Sequence, residues 1–139
     1  RVNSSVAIVI LAIFSITSSF RNTSDHNLLS KEVNIIIRDI GHRLLLQAGD
    51  STSRVLPVTE TEKGRFYSGS KEIDFSHDSL QLLSKELLPE TKFTSGYAVT
   101  VHDCTNGEIV YGFEVNNKTP DVLPCMGRNQ PGGCYTMEF

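Results

Sequence analysis

Tyr97-Ala98-Val99-Thr100-Val101-His102-Asp103-Cys104, then Thr105-Asn106-Gly107, then Glu108-Ile109-Val110-Tyr111-Gly112-Phe113-Glu114-Val115: this stretch decides the fold class. Successive side chains on a strand point to opposite faces, so Tyr97, Val99 and Val101 share an apolar face, while Thr100 and His102 share the other. Asn-Gly between two such runs is the strongest short-range hairpin signal. The expectation is an antiparallel pair, Tyr97–Cys104 and Glu108–Val115, turning at Thr105-Asn106-Gly107.

Working outward, Ser76 or Asp78 can cap a helix that runs to about Leu88, with Leu80, Leu83 and Leu87 on one face and Pro89 just beyond it. Before it, Arg54–Thr59, Gly64–Ser68 and Lys71–Phe75 read as strands with a hairpin near Glu62–Gly64. Leu29, Val33, Ile36, Ile37, Ile40 and Leu44 follow the stripe of an amphipathic helix from about Ser30 to Ala48. Asn27 or Ser30 would cap its start, and Gly49 would end it in the left-handed conformation. Gly41 would let this helix approach a neighbour closely, and Asp50 with Ser51 and Thr52 would close the following turn through side-chain-to-backbone bonds. A Pro- and Gly-rich loop, Asn116–Gly133, leads to a last strand, Cys134–Phe139. The fold class expected is α+β: residues 30–139 as a small antiparallel sheet packed against one long and one shorter helix.

At the other end, nine apolar residues run from Val6 to Phe14, followed by Ser15, Thr17, Ser18 and Ser19. That is the length of a signal-peptide core and shorter than the roughly 20 apolar residues of a spanning helix. Residues 1–20 are therefore expected to be a cleaved signal or a retained anchor, with 21–29 a polar lead-in. Either places the domain outside the cytoplasm, anchored at the inner membrane or released to the periplasm. Arg1 in place of Met, and a strand ending at Phe139, read as a fragment of a longer chain.

The charge balance points away from nucleic acid. The 139 residues carry 13 basic and 16 acidic groups, and the half from residue 71 onward holds 5 and 10 of them. Such a surface has no electrostatic footprint for phosphate. Membrane contact through the N-terminal segment, and a periplasmic ligand or protein as partner, are the expected associations. No cofactor is called for.

Three cysteines, Cys104, Cys125 and Cys134, lie in the last third, and an exported chain meets oxidising conditions. The short Met126–Gly133 segment favours a Cys125–Cys134 bridge, with Cys104 joined to either, or no bridge, as alternatives. His102 with the three cysteines has the residue types of a zinc site but lacks a Cys-x-x-Cys pair, so no metal is expected. His42, Asp50 and the serines beside it lack a nucleophile elbow. His42, Arg43 and Arg54 remain as candidate contacts for a small anionic ligand, unless nearby carboxylates take them. No catalytic residue is expected, and a thiol-dependent or metal-binding protein is the weaker alternative.

Ile40–Leu46, Gly49–Val58, Cys104 with Glu108–Phe113, and Pro124–Arg128 with Gly132–Tyr135 together resemble the extracytoplasmic domain of a bacterial family of membrane-anchored winged-helix transcriptional regulators. The resemblance implies a periplasmic sensory or interaction domain, non-catalytic, with the DNA-binding half in residues beyond Phe139. A free periplasmic or surface structural module is the alternative function.

Overall fold

The structure, a computed structural model, describes residues 4–62, 64–89, 91–116 and 128–139, with the backbone alone for residues 4–24, 26, 70 and 71. The chain divides into two compact units, Arg1–Glu32 and Val33–Phe139. The described elements are α1 (Ser4–Gln47), β1 (Thr59–Glu62), β2 (Arg65–Ser76), α2 (His77–Leu87), β3 (Tyr97–Asp103), β4 (Ile109–Val115) and β5 (Asn129–Glu138).

Helix α1 starts far earlier than the apolar stripe indicated. Its backbone is helical through Arg21–Asn27, where a lead-in was expected, so Asn27 and Ser30 lie inside it rather than capping it. No Pro or Gly occurs before Gly41, so nothing in the chain breaks the hydrogen-bond ladder there. Its end is as expected. Gly49 adopts φ +83°, its N–H donates to the Leu46 carbonyl (3.0 Å), and the Asp50 N–H donates to that of Leu45 (2.9 Å). These are the two bonds of a Schellman stop. The signal or anchor expected for residues 1–20 falls outside the described side chains. Among the described residues no helix is long and apolar enough to cross a membrane.

The second unit is α+β. Its five described strands form one antiparallel sheet in the order β1-β2-β5-β3-β4. Both expected hairpins are present. Gly64 (φ +83°) serves the turn between β1 and β2, and Gly107 (φ +73°) the one between β3 and β4. Three boundaries differ from the sequence reading. Pro57 has no N–H to donate, and among the described residues 54–58 pair with the β2 backbone only through Leu56 N–H to the Gly69 carbonyl (3.3 Å), so β1 begins at Thr59. The two expected strands Gly64–Ser68 and Lys71–Phe75 are one long strand, β2, whose register shifts twice between Ser70 and Phe75. The last strand starts at Asn129, because residues 129–133 pair with β2.

Both helices cover the same face of the sheet. Ile40, Leu44 and Leu45 of α1, Leu80 and Leu83 of α2 and Leu88 at its C-cap meet Ile73, Phe75, Val99, Val101, Tyr111, Phe113, Tyr135 and Met137 in one core. Val33 and Ile37 pack with Val58 and Phe66 in a second cluster. Gly41 has the close approach expected of it: a Cβ there would lie 3.0 Å from Val55. On the opposite sheet face no residue is fully buried along Tyr67, Gly69, Thr100, His102, Gly112, Thr136 and Glu138.

The α1 stripe gives a direct test. Ile40 is 0% exposed and Ile35 is 68% exposed. Ile40→Ala should destabilise the domain by about 2–5 kcal/mol, through lost transfer energy and the cavity left behind. Ile35→Ala should change stability by less than about 0.5 kcal/mol. Equal denaturation midpoints for the two variants would contradict this packing.

Candidate functional site

The bridge expected between Cys125 and Cys134 does not form: Cys134 is bonded to Cys104. Sheet register dictates this. Thr100 faces Glu138, His102 faces Thr136 and Asp103 faces Tyr135, so the next rung sets Cys104 opposite Cys134. Their Cα atoms are 5.4 Å apart and Cys104 N–H donates to the Cys134 carbonyl (3.1 Å). That is the spacing of a hydrogen-bonded antiparallel pair. Cys125 lies outside the described residues. With both sulfurs in the bridge, Cys104 and Cys134 offer no thiolate to a metal, and no group of metal-holding side chains occurs among the described residues.

The three candidate anion contacts are not brought together by any hydrogen bond or ion pair among the described residues. Arg43 is engaged by Asp39 (3.0 Å) and reaches Glu86 (3.9 Å), the carboxylate pairing weighed against ligand binding. His42 is exposed on α1, and Arg54 is exposed in the segment after Asp50. The Asp50 turn uses Thr52 as expected, with Ser53 in the place expected of Ser51. Its carboxylate accepts from Thr52 N–H (3.0 Å), Thr52 hydroxyl (3.1 Å) and Ser53 N–H (2.8 Å). Hydrogen bonds from Ser53, side chain first and then backbone, and from Thr52 lower its pKa from 3.8 to about 2.

A polar cluster that the sequence reading passed over lies between α2 and the sheet. Ser76 caps α2, accepting from Ser79 N–H (3.4 Å), and the His77 N–H is taken by the Arg128 carbonyl (3.0 Å). This turns His77 inward, 6% exposed, with its ring stacked on Tyr111 at 3.7 Å between centroids and 10° between planes. One turn on, Gln81 is 2% exposed and donates from its amide to the Tyr111 hydroxyl.

The hydrogens along this cluster can be assigned from its far end. The Pro131 carbonyl only accepts, so the Tyr135 hydroxyl donates to it (2.8 Å). Tyr135 therefore accepts from Gln130 Nε2 (3.1 Å), which turns Gln130 Oε1 toward His77. His77 Nε2 then carries the hydrogen it donates to Gln130 (3.0 Å), leaving Nδ1 as a bare acceptor. Nδ1 of His77, Oε1 of Gln81 and the Ser84 hydroxyl are buried without a hydrogen-bond partner among the described residues. Native interiors keep few such groups, because each costs desolvation without return.

Gln130 joins this cluster to an open cavity of about 480 Å³, bordered by the last turn of α1, the junction of β2 with α2, and the start of β5. Leu44, Ala48, Phe75 and Pro131 give it apolar walls; Gln47, Asp74, Ser76, Ser79, Asn129 and Gln130 supply hydrogen-bonding groups. Its size is that of a small-molecule pocket. None of the described lining side chains is basic and Asp74 is acidic, so the electrostatics disfavour an anion. His77 and Gln81 were legible in principle: positions 77, 80, 81 and 84 form one helical face, which Leu80 marks as the buried one. Gln130, inside the Pro- and Gly-rich stretch, carried no such periodic signal.

A second cluster occupies the open sheet face. His102 Nδ1 donates to the Gly107 carbonyl (3.3 Å), and Nε2 lies within hydrogen-bond distance of the Thr100 hydroxyl (2.9 Å), with Glu138 at 3.5 Å. Glu138 also faces Arg65 (3.6 Å), so the cluster ties β2, β5, β3 and the β3–β4 turn together. In comparisons with protein-family models, curated proteins and solved structures, nothing matches this chain.

Two outcomes follow from this geometry. Cys104→Ser or Cys134→Ser should lower stability by about 3–4 kcal/mol for the roughly 30-residue loop released, and disulfide peptide mapping should recover the 104–134 pair. Recovery of a 125–134 pair instead would contradict the register. Second, because the folded Asp50 pKa lies below 3.8, its carboxylate contributes stability that is complete above about pH 3.8 and disappears as pH falls through about 2. Acid-unfolding curves of the wild type and Asp50→Asn should therefore differ most above that range and converge toward its lower end.

Proposed function

We propose that this chain is the extracytoplasmic sensory domain of a membrane-bound winged-helix transcriptional regulator, and that it is non-catalytic. The observation that carries the sensory reading is the 480 Å³ cavity at the end of α1, continuous through Gln130 with the buried polar cluster of α2. A ligand there touches α1, α2 and β5 at once, so it can favour one packing of the three over another. Any such shift is limited to the ligand's difference in affinity for the two packings. The lining suits a small, polar, neutral or cationic molecule, its hydrocarbon part against Leu44, Phe75 and Pro131. A disulfide between Cys104 and Cys134 fits an oxidising compartment. Transcriptional output and the membrane anchor come from the resemblance and from the Val6–Phe14 stretch.

The test is reporter transcription in cells carrying the longer regulator that this reading requires. Deleting residues 33–139, or narrowing the cavity with Ala48→Phe, should abolish any change in output between growth conditions. Output that varies with conditions in the same way in all three strains would remove the sensory role. Mature protein beginning near Phe20, with no longer polypeptide detectable, would favour the released periplasmic module instead.

A further inference from the structure

We infer that the cavity beside α2 binds a neutral polyhydroxylated molecule, a sugar or an open-chain polyol, which deepens the sensory reading above and rests on it. Leu44 and Phe75 are the buried part of the lining, at 1% and 6% exposed, while Gln47, Asp74 and Asn129 are exposed around its mouth. None of those three side chains has a hydrogen-bond or ion-pair partner among the described residues. Gln130 is fixed in place, its Nε2 engaged by Tyr135 and its Oε1 by His77. Ser76 Oγ accepts from Ser79 N–H, so its own hydrogen is left to donate, and the Ser79 hydroxyl can do both.

The groups left over decide the ligand class. The amides of Gln47 and Asn129 and the hydroxyls of Ser76 and Ser79 supply donors and acceptors together, and only Asp74 is restricted to accepting. An ammonium group donates and cannot accept, so it would leave the amide N–H groups and Ser76 unmatched. A carboxylate or phosphate accepts without donating and would face Asp74. Asp74 itself stands in water, where a single ion pair gains little. A neighbouring cavity that shares Ala48 and Asp74 adds Asp50 and Glu72, but the Asp50 carboxylate is already taken by Thr52 and Ser53, and Glu72 is exposed. A hydroxyl donates and accepts at once, and hydroxyls on adjacent carbons match planar amide and carboxylate groups two at a time. The C–H face of such a molecule is apolar enough to lie over Leu44, Phe75 and Pro131, and a cavity of about 480 Å³ takes a mono- or disaccharide.

Titrations of the isotope-labelled full chain, disulfide intact and followed by amide chemical shifts, test this. The probes are glucose and trehalose as ring forms, glycerol and sorbitol as open chains, and butylamine and butyrate as charged molecules with an apolar tail. At least one of the four polyhydroxylated probes should saturate with a dissociation constant of about 1 mM or tighter, shifting the side-chain amides of Gln47 and Asn129 and the backbone amides of residues 74–79. Which of the ring and open-chain forms binds tells where the hydroxyls come from. Gln47→Leu and Asp74→Ala, both at exposed positions, should each weaken that binding by about five- to tenfold without lowering the melting temperature, and Ala48→Phe should abolish it. Unsaturated shifts with all four, saturable binding by butylamine or butyrate alone, or binding indifferent to these substitutions would overturn the inference. The readout involves no reporter. A polyol that binds without altering transcription removes the sensory role and leaves the site, whereas output that depends on the cavity with no polyol bound removes the polyol and leaves the sensory role.

Discussion

The sheet depends on its last strand being placed in the middle. Strands β1 and β2 form one hairpin, β3 and β4 another, and β5 lies between them, bonded to β2 on one side and β3 on the other. Each hairpin alone would be marginal, since two strands bury too little apolar surface to be stable in water. Tyr135 and Met137 supply the β5 part of the core that both helices cover. Long sequence separations therefore have to be closed before the core is complete, a topology that makes folding slow relative to local structure. The Cys104–Cys134 bond sits at the edge of that arrangement, where β5 stops being flanked on both sides.

This placement also explains what could be read in advance. Local chemistry was legible: Asn106-Gly107 for its hairpin, Ser76 for the α2 cap, Gly49 for the end of α1, and the alternation that sends Val99 and Val101 inward. Each is decided by residues within a few positions of one another. The disulfide partner was not legible, because loop length favours the nearer cysteine while the bond is set by strand register across 30 residues. The start of β5 was hidden for the same reason: Pro131, Gly132 and Gly133 read as loop, yet pairing with β2 draws them into the strand. The helical lead-in shows the reverse case, where polar composition argued for a loop and the absence of any breaker left the helix uninterrupted.

The polar groups divide between the two faces of the sheet in different roles. On the open face, His102, Thr100, Glu138 and Arg65 are only partly removed from water, so their mutual contacts cost little and mainly fix the relative positions of the strands. On the helix-covered face, His77, Gln81, Gln130 and Tyr135 are buried, and an apolar set of similar shape would pack there without desolvation cost. A chain optimised for stability alone has no reason to keep them. That makes the α2 face, with the cavity beside it, the better place to look for function.

The arrangement of hydrogens in that cluster carries the point further. Because the Pro131 carbonyl can only accept, every donor from it back to His77 has one possible direction, and the chain is a single polarised array. Displacing Pro131 or Gln130 cannot be absorbed by flipping one amide. Turning Gln130 over would require His77 to move its hydrogen from Nε2 to Nδ1 and the Tyr135 hydroxyl to leave the Pro131 carbonyl for Gln130 Oε1, so the whole array reverses together. A ligand in the cavity, or a change in the strand that forms its wall, thus meets a structure with discrete alternatives rather than a continuously yielding one. Discreteness of this kind is what a domain needs if a small event at one wall is to be felt at His77, Tyr111 and the core beyond them.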